Sequence, residues 1–428
     1  AATAPKDDLP KTVAAAADAA APAAPEDTGP RAADGTPFVK VADLPAGQWY
    51  HARLDFKKLG PLPFYLFLPT TEGTPGYVKN GVEMVPVTWT AKGNQITVVS
   101  PWNYPSRLVA KRDKKGALRG KFERDFPLWG HVENPFSAEP VDAPSPETRF
   151  AKAPKTAPKA DLSGTWRFEF EEMGVGTGHF EQDENGVITG FARPGSFGDL
   201  RFLAGNVIGD ELHMSQYNGN SINLVSAHIA ADGKTMKGVI SMYNQWQDPF
   251  TAKKDDSFHY ESPVHLAKGK NKITIPALTK VAGEPVLKRY AGKKPLVVFI
   301  FATWCPICND AAPYFVELHK KYGDNVAFLS LAYDLSDDQK KNAAEIERFR
   351  KKYNVDWDVM QVPTTPEKWA DDMPQEIKDW EGFPVSVFIN RDGTVHAVYG
   401  GWFGPATGDE NVELKAQFAN WIEDIAKT

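Results

Sequence analysis

Cysteine is almost absent from this chain: its 428 residues include two, Cys305 and Cys308, both inside one four-residue stretch. A framework of structural disulfides is therefore excluded, and a four-ligand zinc site would need partners that no second cysteine pair supplies. The nine histidines are scattered, and only His319 and His396 fall on expected helices and strands of the C-terminal part, so no metal is assigned. Long apolar runs are missing as well. None approaches the roughly 20 residues of a membrane span, and near the cysteines the longest is Leu296 to Ala302. Charge of one sign is not in excess either. Lys and Arg total 49 against 55 Asp and Glu, a net charge of -6 with no basic stretch of the kind that holds nucleic acid.

The first 37 residues have few large apolar side chains and are rich in Ala and Pro. This composition cannot bury a core, so residues 1–37 read as a disordered tether. No Met stands at the start, which fits a tether left after a targeting signal is removed. A chain with no stray thiols suits export. The expected location is the bacterial periplasm or cell envelope, with anchoring through a removed N-terminal segment left open.

Residues 38–140 change to short alternating strands separated by turn signals, an all-β unit. A Pro/Ala-rich linker, 141–160, separates it from a second such unit at 161–268. The units share landmarks. Gly47-Gln48-Trp49 opens one and Gly164-Thr165-Trp166 the other, and each ends in paired hairpins, turned at Asp113-Lys114-Lys115-Gly116 in one and Asp232-Gly233 in the other. We read a tandem duplication of a small antiparallel barrel or sandwich, with Trp49 and Trp166 each facing inward to fill a core; stacking on a ligand is the lesser reading. Trp102, Tyr104, Trp129, Tyr243 and Trp246 add aromatic surface, but no paired acids or metal spacing says what these units bind.

From 269 to 428 the pattern switches to strand–helix–strand–helix–strand–strand–helix, an α/β domain. Leu296 to Ala302 suits a strand buried on both faces, and Cys308, Ala312, Phe315, Leu318 and Tyr322 recur at helical spacing after it. The two cysteines thus stand where a buried strand gives way to a helix. A thiolate at a helix N-terminus is stabilised by the macrodipole and by unpaired N–H groups, so Cys305 is expected to be an accessible, readily ionised nucleophile. Cys308, one turn inside, is expected to be buried and to resolve a mixed disulfide. A purely structural disulfide is a weak alternative, because closing so short a loop removes little unfolded-state entropy.

The stretch LVVFIFATWCPICNDAAP, the segment PTTPEKWADDMPQEIKDWEGFPVSVFINRDGTV and the closing GGWFGPATGDE resemble the thioredoxin superfamily, and within it the TlpA-like and ResA-like exported thiol–disulfide oxidoreductases. The resemblance covers roughly Ile273 to Thr428. It implies a cis-proline at Pro384 beside the cysteine pair and a substrate groove lipped by Phe383 and Pro384, with Trp304 and Pro306 across it. Two acids common in these families are replaced, by Phe299 on the strand and by Ala311 on the helix. Asp310 is then the candidate proton relay through water, with an exposed helix-surface carboxylate as the preferred reading. Pro306-Ile307 differs from the commonest thioredoxin pair, so no redox potential carries over.

The implied activity is reduction of disulfides in exported proteins by dithiol–disulfide exchange, reset by a membrane electron donor and needing no cofactor. A different reading makes the chain an envelope binding protein whose β units grip a partner. A thiol peroxidase is disfavoured, since Thr303 stands too close to Cys305 for that motif and no Arg neighbours the pair in the sequence.

Overall fold

The computed structural model describes residues 30–428 except 57–58, 128–129, 151–155 and 337. The greater part of the expected tether, residues 1–29, and Trp129 lie outside the described residues.

The first unit is a closed antiparallel barrel of β1 (Gly47–Phe56), β2 (Gly60–Pro69), β3 (Gly76–Asn80), β4 (Glu83–Lys92), β5 (Gln95–Val99), β6 (Arg107–Arg112), β7 (Leu118–Phe126) and β8 (Gly130–Val141). Each strand pairs with its neighbour in sequence, and β1 closes on β8 from Trp49 opposite Val141 to Leu54 opposite Phe136. The second unit repeats this order with β9 (Gly164–Phe170), β10 (Gly174–Gln182), β11 (Val187–Arg193), β12 (Leu203–Ile208), β13 (Glu211–Tyr217), β14 (Ile222–Ile229), β15 (Thr235–Met242) and β16 (Trp246–Lys254), closed by β9 on β16. Closure leaves neither sheet with a free edge.

Alternation decides what faces in. Tyr50, Ala52, Leu54 and Phe56 of β1 join the main core, whereas Trp49 packs on the outer face against Tyr65, Phe67 and Met84. Trp166, Phe168 and Phe170 of β9 do fill the second barrel. The expectation that both tryptophans face inward therefore fails for Trp49: the period of two puts residues one place apart on opposite faces. Other landmarks agree. Gly120 of β7 and Gly238 of β15 occupy matching strands, and a Cβ on either would lie 1.9 Å from the Val109 carbonyl or 2.4 Å from that of Ser226. Both permit a close approach of backbones that barrel curvature requires. The void left inside the second barrel is about 10 Å³, ringed by Phe168, Phe170, Phe180 and Phe250, too small for a ligand.

The barrels interlock. Tyr217, Ile222, Leu224 and Tyr243 of the second belong to the core of the first, and the Tyr217 ring lies 4.1 Å from that of Phe64. Arg124 of β7 donates to the carbonyls of Tyr104 (2.9 Å) and Asn220 (2.7 Å) and to Asn220 Oδ1 (2.8 Å). Within the segment joining the barrels, Arg149 is buried and donates to the Pro63 carbonyl and Ser215 Oγ.

The last unit contains β17 (His265–Leu266), α1 (Pro276–Ala282), β18 (Leu296–Phe301), α2 (Pro306–Tyr322), β19 (Ala327–Ala332), α3 (Gln339–Tyr353), β20 (Asp358–Gln361), α4 (Trp369–Asp372), β21 (Ile377–Lys378), β22 (Val385–Ile389), β23 (Val395–Gly400) and α5 (Asp409–Ala426). Its five-stranded sheet runs β20-β19-β18-β22-β23, parallel across β18–β19 and β19–β20 and antiparallel across β18–β22 and β22–β23. Central β18 is buried along its whole length, as its unbroken apolar run requires. The edge strand β20 was not expected; its four residues are part-exposed and show no alternation. No helix among the described residues is long and apolar enough to cross a membrane.

Candidate active site

Strand β18 delivers Thr303 and Trp304 to the start of α2, where Cys305 is the N-cap and Pro306 the first helical residue. Proline suits this position, since its missing N–H would have had no helical partner. The Cys305 sulfur accepts a hydrogen bond from the Cys308 N–H at 3.2 Å, the contact an N-cap side chain makes with an otherwise unpaired donor. Asn309 clamps the turn by donating to the carbonyls of Thr303 (3.0 Å) and Cys305 (2.7 Å), and Tyr353 of α3 donates to Asn309 Oδ1 at 2.8 Å. The Phe383–Pro384 bond is cis, and the Phe383 carbonyl lies 3.5 Å from the Cys305 sulfur. Trp304, Cys305, Phe383 and Pro384 are thus brought together, with Trp304 and Phe383 edge to face at 6.0 Å. Pro306 is half-buried at the rim.

Cys308 is fully buried, and burial followed by the adjacent Cys305 pushes its thiol well above the ordinary range. It keeps its proton until it attacks. Cys305 was expected to be accessible; instead it is only 5 % exposed, because both barrels pack over the motif. The ring of Phe126 from β7 lies 5.4 Å from Trp304 and 5.0 Å from Tyr243 of the second barrel.

Asp310 also departs from expectation. It is buried, not an exposed helix-surface carboxylate, and pairs with Arg201 of the second barrel, which in turn binds Glu83 of the first. Burial raises the Asp310 carboxyl to about 6 against the pull of Arg201. A carboxylate locked in an ion pair is poorly placed to relay protons. Nothing local marks this pair, as Arg201 and Asp310 lie in different domains.

A second buried acid went unnoticed in the sequence. Asp334, just after β19, accepts from the Thr303 N–H (3.2 Å) and hydroxyl (2.7 Å), and its other oxygen is buried. Burial raises its carboxyl to about 7, the two hydrogen bonds from Thr303 opposing. Because the folded state holds this proton more tightly than the unfolded chain, the stability it adds is full below about pH 4 and is lost as pH rises through about 7. Asp334→Asn keeps an acceptor for Thr303 and removes the titration. In urea unfolding it should match the wild type near pH 4 and exceed it by up to roughly 4 kcal/mol at pH 8. An unchanged pH dependence would show that Asp334 does not hold the proton.

Residues 272–418 match the AhpC/TSA family. No curated protein matches the chain. Solved structures similar to part of it include a thiol:disulfide interchange protein, a thioredoxin family protein of Chlorobium tepidum, 24 % identical with TM-score 0.22 over 36 % of this chain and 99 % of that one. The exposed lipoprotein thioredoxin of Streptococcus pneumoniae is 18 % identical, TM-score 0.23, over 35 % and 98 %. A thio-disulfide isomerase of Thermus thermophilus is 19 % identical, TM-score 0.22, over 36 % and 92 %. The family match takes in the strand-to-helix turn that carries the cysteines and the sheet behind it and leaves both barrels outside it: residues 272–418 have a thioredoxin-like fold.

Proposed function

We propose that the chain is a thiol–disulfide oxidoreductase that reduces disulfides of exported proteins in the periplasm or cell envelope and is itself reset by a membrane electron donor. The observation that carries this reading is the Cys305 sulfur at the N-cap of α2, receiving the Cys308 N–H at 3.2 Å. The Cys305 thiolate attacks one sulfur of the substrate disulfide, forming a mixed disulfide and releasing the first substrate thiolate, which takes up a proton. Cys308 then loses its proton and attacks Cys305, closing the Cys305–Cys308 disulfide and releasing the second substrate thiol. Two electrons pass to the substrate. Trp304, Phe383 and Pro384 flank the reacting sulfur and are the groups a substrate would touch.

The pre-reduced chain should reduce insulin or oxidised glutathione, with one Cys305–Cys308 disulfide formed per substrate disulfide lost, read by thiol titration and mass. A chain that stays reduced in excess glutathione disulfide would refute the reading.

A further inference from the structure

The ground on which a disulfide-bearing chain would lie is already filled from within. Beside Trp304, Cys305 and Phe383, which are 7 %, 5 % and 3 % exposed, the loop between β11 and β12 runs along the thioredoxin domain. Ser196 Oγ accepts from the Glu381 N–H at 3.0 Å, the Asp199 N–H donates to the Trp402 carbonyl at 3.3 Å, and the Gly404 N–H donates back to Asp199. Phe197 lies so close to Gly382, next to the Phe383–Pro384 bond, that a Cβ there would come within 2.5 Å of its ring. Gly198 lies against Ile307 of the cysteine motif, where a Cβ would meet Cγ2 at 2.6 Å. Phe126 of the first barrel closes the Trp304 side.

Charged groups help to fasten this cover, beside the contact of Phe191 with Phe403 and of Arg193 with the Gly400 carbonyl. Arg201, a few residues along the same loop, pairs with Asp310 on α2 and with Glu83 of the first barrel, and Asp199 is buried beside it. Taking such groups from water offsets most of their attraction, so a latch of this kind orients domains without welding them. The two barrels share a core through Tyr217 and Arg124, and the same apolar cluster continues into the thioredoxin domain through Phe126 and Trp304. They reach the thioredoxin domain in sequence only through the segment after Lys254.

We propose that the barrel pair is a built-in gate on the dithiol: docked, it occupies the substrate ground beside Cys305 and Pro384, and exchange proceeds when the pair lifts away as one body and the Arg201–Asp310 contact breaks. The gate rests on the thiol-exchange reading for its purpose but is tested separately from it. Reactivity of Cys305 is then its open-state rate multiplied by the open fraction.

The test uses the reduced full chain. Iodoacetamide should label wild-type Cys305 about a hundredfold more slowly than it labels glutathione per thiolate at the same pH. Two independent variants should open the gate: Gly198→Val, which wedges a side chain against Ile307 and strains a backbone at φ 139°, and Arg201→Met, which cuts the latch. Each should speed labelling about tenfold or more, speed insulin reduction likewise, and enlarge the radius of gyration in X-ray scattering, with far-UV circular dichroism unchanged. Wild-type labelling as fast as glutathione, or variants that expand without faster labelling, would overturn the gate. Fast labelling in expanded variants that still reduce nothing would leave the gate standing and refute the redox reading instead.

Discussion

A chain with Cys308→Ser is expected to accumulate mixed disulfides through Cys305, while a chain with Cys305→Ser forms none. The first exchange step needs only the sulfur at the N-cap, and Ser at 308 preserves the main-chain N–H that supports it. Release of substrate needs the second sulfur. Cys308 is held one turn away and fully buried, so no solvent thiol can take over its role efficiently. Turnover of insulin should fall by about three orders of magnitude in either variant, as when one member of a catalytic pair is removed. Non-reducing electrophoresis of envelope extracts, with partners identified by mass spectrometry, separates the two: covalent complexes for Cys308→Ser only. Equal trapping by both variants would assign the nucleophile wrongly, and trapping by neither would favour a binding protein whose cysteines are incidental.

Replacing Tyr217 by Ala should cost about 3–5 kcal/mol, the range for emptying a fully buried aromatic site. Tyr217 is completely buried, packed on Phe64 at 4.1 Å and edge-on to Phe122 at 6.2 Å, although it belongs to the second barrel and they to the first. The loss should therefore appear in the coupling of the barrels as well as in the second barrel alone. A double-mutant cycle with Phe64→Leu should return about 0.5–1.5 kcal/mol of interaction, the aromatic-pair scale. A loss under about 1 kcal/mol with no coupling would mean that the barrels are separate bodies, which would also undo the lifting of the pair as a unit.

The features that were legible in the sequence are local ones. The apolar run at Leu296–Phe301 followed at once by Thr303-Trp304-Cys305 determines a buried strand feeding a helix N-terminus, and period-two patterning marks both barrels. Period-two patterning left barrel and sandwich open; that each strand pairs with the next in sequence and the first closes on the last is seen in the structure. Trp49 misled because a similar tripeptide does not fix phase: one place along a strand reverses the face. Asp310 and Cys305 misled for a different reason. Their burial comes from the barrels, through Arg201, Glu83, Phe126 and Phe197, and no window of sequence spans a contact more than a hundred residues wide. Asp334 was missed because nothing in Tyr333-Asp334-Leu335 distinguishes a buried acid from a loop acid until Thr303 is seen donating to it.

The order of the units along the chain sets an order in time. In each barrel every ladder but the closing one joins consecutive strands, so closure can follow as soon as the eighth strand is released from synthesis or transport. Both barrels are complete by Lys254, whereas Cys305 arrives some fifty residues later. The cover can therefore assemble before the thiols are made, and neither barrel carries a thiol of its own to oxidise while it folds. On that order the nascent dithiol would meet a finished wall rather than a pool of unfolded chain.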